Sequence, residues 1–154
     1  MPSKSQALYD LTNCLQPARR VWKQAATEAL ADEDISITLA AMVVAVYRNS
    51  QGITQKALAE EIGINPGALV RLLDQATQAK LLERRELPGD RRARTLFILP
   101  EGERLAKKVE DAADQLRHEL MQGVSQEEIE QAVRTVRLFE ERAVAFLQRK
   151  KEKV

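Results

Sequence analysis

Four residues, Gly63-Ile64-Asn65-Pro66, divide two short segments with helical apolar spacing, and that punctuation leaves few folds open. Upstream, Thr54 stands where it caps a helix over residues 55–62 that turns Ala57, Leu58 and Ile62 inward. Gly63 supplies the left-handed stop that a residue bearing a Cβ resists. Asn65 caps the next helix, and Pro66 falls at its first position, where a missing N–H costs nothing. Leu69, Leu72, Leu73 and Ala76 give that helix its inner face. Two helices joined by about three residues around a glycine form a helix-turn-helix. Two apolar runs follow, Leu81-Leu82 and Leu96-Phe97-Ile98-Leu99, on either side of Leu87-Pro88-Gly89-Asp90. Proline then glycine suits a type II turn, because glycine accepts the positive φ at its third position. A hairpin directly after a helix-turn-helix is a wing.

The flanks read as longer helices. Leu8, Leu11, Leu15, Ala18, Trp22, Ala25 and Ala29 recur by threes and fours. Pro17 interrupts that stripe, and an interior proline predicts a kink or a fresh start. After the polar break Asp32-Glu33-Asp34, Ser36 caps a helix to about Arg48 whose faces are nearly all apolar, hence buried. A polar helix follows from about Pro100 to Gly123, with Leu105, Val109, Ala112, Leu116 and Leu120 on one stripe. Ser125 with Glu128 three positions on is a capping box. It opens a last helix striped by Ile129, Ala132, Val136, Phe139, Ala143 and Phe146. The fold class is therefore mainly α (α+β), a winged helix-turn-helix with terminal helices. Residues 1–154 make one domain, with 36–99 as the DNA-reading region and 5–34 and 101–150 as dimerisation helices. Apolar stripes need cover, and a second copy is the economical partner in a chain this short. The alternative is that the stripes pack only on each other within one chain.

Composition excludes several classes. One cysteine and one histidine in 154 residues rule out a disulfide framework and a thiolate zinc cage, so no metal and no cofactor are expected. The carboxylates scatter along helix faces, no glycine-rich phosphate loop appears, and His118 has no nucleophile beside it, so an enzyme is not expected. Cys14 reads as a buried structural thiol, with a redox-responsive regulator as the alternative. The longest uncharged apolar stretch, residues 35–47, is too short to span a membrane, and no secretion signal opens the chain, which points to the cytoplasm.

Net charge is only +1, so placement has to carry the functional reading. Between Arg84 and Arg94 five arginines face Glu86 and Asp90, a local +3. On a hairpin, Arg91, Arg92 and Arg94 have the shape to enter a minor groove, with Asp90 orienting a neighbouring arginine by a charge-assisted pair. Off the inner face of the second helix lie Pro66, Gly67, Ala68, Val70, Arg71 and Gln75, and Arg71 can fork onto guanine O6 and N7. The alternative pairs Arg71 with nearby Asp74 or Gln75. With Thr54, Gln55 and Asn65 at the helix starts, these residues form the candidate surface for double-stranded DNA. A rival from another class is a protein-interaction module whose wing arginines meet an acidic partner.

Ile62-Gly63-Ile64, Leu69-Val70-Arg71, Leu73-Asp74-Gln75, the wing Asp90-Arg91-Arg92-Ala93 and the run from Gly123 to Gln131 together resemble the MarR family of transcription regulators, its SlyA branch above all. The resemblance implies a homodimer on pseudo-palindromic DNA, bound to the nucleoid when engaged, with Arg71 at the major groove, Arg92 in the minor groove and Asp90 holding the wing. It further implies a small phenolic or aromatic carboxylate effector near Arg20, Trp22 and Lys23. Three departures stand out. Ala68 replaces a hydroxyl residue on the recognition helix, Lys80 replaces a glycine before the wing, and Pro100 replaces a capping threonine. Cys14 does not fall where the peroxide-sensing branch keeps its reactive cysteine.

Overall fold

Five helices begin on a side-chain oxygen that accepts a backbone N–H two or three residues on: Ser3, Ser36, Thr54, Asn65 and Ser125. The structure, a computed structural model, describes residues 1–152; the side chains of Leu87 and residues 90–93 lie outside the described set. The helices are α1 (Lys4–Ala29), α2 (Ile37–Arg48), α3 (Gln55–Ile62), α4 (Pro66–Gln78), α5 (Pro100–Leu120) and α6 (Gln126–Lys151). The strands are β1 (Ile53–Thr54), β2 (Leu82–Leu87) and β3 (Asp90–Ile98). They form one antiparallel sheet in the order β1-β3-β2. No described helix is long and apolar enough to cross a membrane.

The chain divides into two compact units, residues 1–117 and 118–154. In the first, Met42, Val43 and Val46 of α2 meet Leu58 of α3, Leu69 and Leu73 of α4, Leu82 of β2 and Leu96 of β3, all withdrawn from water. Leu105, Ala106 and Val109 of α5 close this core. One inward assignment is corrected in α3: Ala57 is exposed and Ala59 is buried beside Leu58. Ala57 spends its backbone N–H on the Thr54 cap, which places it on the outer side of the first turn.

The wing strands run further than the apolar pairs predict. Glu83 to Glu86 continue the ladder, Arg84 opposite Leu96 and Arg85 opposite Thr95, with a register shift between Glu86 and Leu87. Backbone pairing does not depend on apolar side chains and propagates through charged residues as well, so the apolar runs mark only the base of the hairpin. Gly89 takes φ 96°, as the turn requires.

Two readings of α1 are corrected. The helix runs unbroken through Pro17, so there is no fresh start. Its turn is exposed, which lets water satisfy the carbonyl that the proline leaves unbonded. Cys14 is not buried but exposed, its thiol donating to the Leu11 carbonyl at 3.2 Å. The early part of α1 stands in water, Leu8 being 54% and Tyr9 63% exposed, so a thiol there has nothing to pack under.

At the other end of α4, Lys80 sits in the left-handed region at φ 56°. Leu81 N–H bonds the Ala76 carbonyl at 2.9 Å and Lys80 N–H bonds Thr77 at 3.0 Å, the Schellman pattern that glycine normally closes. Lys80→Gly is therefore expected to stabilise the protein by about 1 kcal/mol, raising Tm by roughly 2–4 °C in thermal scans followed by circular dichroism. An unchanged or lower Tm would show that the lysine is not strained.

In the second unit α6 starts on a complete capping box, Ser125 with Glu128. Hydrogen bonds from the Ser125 hydroxyl and backbone N–H hold the Glu128 carboxyl below its ordinary value of 4.5. No described residue of α6 is buried: Val136, Phe139 and Phe146 stand 37%, 40% and 51% exposed.

Candidate nucleic-acid interface

Gly63 turns the chain at φ 69°, and its N–H and that of Ile64 both bond the Ala59 carbonyl, which seals the end of α3. Asn65 then starts α4 by accepting the Ala68 N–H at 2.8 Å. With Leu69, Leu73 and Ala76 buried, helical geometry turns Pro66, Gly67, Val70, Arg71 and Gln75 outward. Ala68 is half-buried rather than fully outward.

The caps change what two candidate residues can offer. Thr54 Oγ1 accepts the Ala57 N–H at 3.2 Å, and Asn65 Oδ1 is committed to Ala68, so both hydrogen-bond acceptors already serve the fold. Gln55 is half-buried. Among the outward side chains of α4, Arg71 brings the only positive charge.

Arg71 does not pair with Asp74. That carboxylate accepts instead from Arg84 of β2, Nη2 to Oδ1 at 2.8 Å, an ion pair joining α4 to the wing. Arg84 keeps a quarter of its side chain in water, and its Nε is buried with no hydrogen-bond partner. Across the sheet, Arg85 stacks its guanidinium 4.4 Å from the Phe97 ring centre and pairs with Glu83. Sequence reasoning missed both arrangements. The strand alternation of Arg84 and Arg85, sending one side chain to each face of the hairpin, was the available signal.

At the wing, Arg94 is exposed and opposite Glu86. The side chains of Asp90, Arg91 and Arg92 lie outside the described residues.

The three candidate effector residues do not converge. Arg20 and Lys23 line a shallow open depression on α1 with Leu15, Gln16 and Arg19. Trp22 is half-buried and points elsewhere, its ring 5.4 Å from the guanidinium of Arg117 on α5. Two positions along a helix separate side chains by about 200°, which is why Trp22 cannot share a face with Arg20.

A capped helix pair with a short glycine turn, followed by an antiparallel hairpin, defines a winged helix-turn-helix protein. Within that class residues 34–93, the stretch from the turn before α2 to the wing, match the model of the MarR family. The fold is similar to that of transcriptional regulator PA3341, at 26% identity and TM-score 0.75 over 89% of this chain and 97% of that one. It is also similar to S. aureus MepR in complex with DNA, at 21% identity and TM-score 0.72 over 84% and 96%. A third likeness is CouR from Rhodococcus jostii RHA1 bound to p-coumaroyl-CoA, at 20% identity and TM-score 0.71 over 80% and 86%.

Proposed function

We propose that the chain is a sequence-specific regulator that binds double-stranded DNA as a homodimer, with α4 at the major groove and the wing at the minor groove. The observation that carries this reading is the outer face of α4, where Arg71 stands unpaired among the described residues beside an arginine-tipped hairpin. A guanidinium so placed matches the acceptor edge of guanine. Pro66 and Gly67 bring the backbone close but add no donor side chain, so groove shape and phosphate contacts supply much of the affinity.

A second copy follows from α6. Its apolar stripe is exposed along the helix, with an acidic start at Glu127 and Glu128 and a basic end at Arg149, Lys150 and Lys151. Antiparallel self-pairing buries the stripe and sets each acidic start against the partner's basic end. Two recognition helices must then lie about 34 Å apart to enter successive major grooves. Modulation by a small aromatic carboxylate or phenol completes the proposal, since a ligand that favours another spacing weakens DNA binding by population shift. Arg20 and Lys23 supply the cations for such a carboxylate. The site is a binding surface of a cytoplasmic protein, held at the nucleoid while bound to DNA.

Binding of genomic duplex fragments, measured from 50 to 200 mM salt, tests the reading. Six or more phosphate contacts give a log–log slope near −5 or steeper, a loss of about a thousandfold or more across that range. A flat dependence overturns it.

A further inference from the structure

The ion pair between α4 and β2 does more than tie two elements together. Asp74 follows Arg71 by three positions, the spacing at which opposite charges meet on a helix surface. Left alone, the Asp74 carboxylate is the nearest anion on α4 to the Arg71 guanidinium, and it also repels DNA phosphates. Arg84 approaches from the wing strand and takes it, at 2.8 Å. The two side chains are unequally exposed, 25% for Arg84 and 58% for Asp74, so the guanidinium is the more shielded partner of the pair. Arg84 gives up one hydrogen bond to do this, its Nε being buried without a partner. A buried orphan N–H is unfavourable, and the charge-assisted bond to Asp74 is the described interaction that offsets it.

We propose that Arg84 is a positioning residue for DNA recognition: by sequestering Asp74 from the wing side, it keeps Arg71 unpaired and available to the duplex. The proposal rests on the reading of α4 as the recognition helix. It makes the wing strand a determinant of what the recognition helix can touch, independently of any contact the wing itself makes with DNA.

The experiment uses the intact protein and a duplex fragment that the wild type retains at 0.15 M salt, with a random duplex of equal length as reference. Arg84→Met frees Asp74 to capture Arg71 and is expected to weaken binding to the retained fragment about tenfold, close to the loss from Arg71→Ala. Its affinity for the random duplex falls by less, narrowing the ratio between the two. Asp74→Asn removes the competitor and one negative charge, and is expected to tighten binding about threefold. Arg84→Met combined with Asp74→Asn is expected to return affinity to within about threefold of wild type. That rescue separates sequestration from a merely structural tie, which the double variant also lacks. Should Arg84→Met melt below the assay temperature, Arg84→Gln keeps a donor without the charge, and its loss is expected in the same direction. A double variant as weak as Arg84→Met, or an Asp74→Asn variant that weakens binding, overturns the proposal while leaving the DNA reading intact. A wild type that retains no duplex overturns both.

Discussion

Gly102→Ala is expected to lower Tm by about 6–12 °C, although glycine in a helix is ordinarily the weaker choice. Replacing a helical glycine with alanine usually stabilises by up to about 1 kcal/mol. Here a Cβ would lie 1.9 Å from the Leu81 carbonyl oxygen and 2.8 Å from Ile98 Cδ1. Ile98 can change rotamer, but the carbonyl cannot move. It accepts the Leu99 N–H at 2.9 Å, while the N–H of the same residue closes the Schellman pattern on Ala76. Leu81 itself is buried in the core. Overpacking against fixed backbone costs roughly 3 kcal/mol, the upper end of the usual range, which gives the Tm shift above for a chain of this size. Gly67→Ala is the control, since a Cβ there meets only Asn65 Oδ1 at 3.4 Å. Equal melting temperatures for wild type and Gly102→Ala would show that α5 is not seated on this carbonyl.

The same corner shows what the sequence discloses and what it conceals. Caps are local, so Ser36, Thr54, Asn65 and Ser125 name their helix starts, and Gly63 and Gly89 name their turns. Lys80 stands in the left-handed region at the very place where the resemblance expects glycine. Tertiary competition is not local. Nothing in the spacing of Arg71 and Asp74 announces that Arg84, ten residues after Asp74, takes the carboxylate. Pro17 misleads for a related reason: its cost depends on whether water reaches the freed carbonyl, which periodicity does not report. The reading of Cys14 as buried rests on residue type, since an unactivated lone thiol is usually a core residue, but residue type does not report what covers a helix face, and here the thiol stands exposed. For the candidate interface, residue types and helix face were legible at Arg71, Val70 and Gln75. The capping duty of Thr54 and Asn65 was legible too, and it subtracts from their value as contacts. The divergence of Trp22 from Arg20 follows from helix geometry alone.

Replacing Arg91, Arg92 and Arg94 together with alanine is expected to weaken duplex binding by roughly two decades at 0.15 M salt. Each cation that releases a phosphate counterion contributes about 0.9 to the log–log salt slope, which is about 0.7 of a decade in binding constant at 0.15 M relative to 1 M. Three such contacts set the loss, and they flatten the slope by nearly three units. The fold should not suffer, because Arg94 is exposed and the described ion pairs of the hairpin belong to Arg84 and Arg85. Surface substitutions of that kind stay within about 0.5 kcal/mol, so an unchanged Tm is part of the expected result. Fluorescence anisotropy at several salt concentrations reads affinity and slope together. A loss of affinity with an unchanged slope would mean that the arginines act on base edges or groove shape rather than on phosphate charge. An affinity within threefold of wild type at every salt concentration would remove the wing from the interface and leave α4 to account for binding alone.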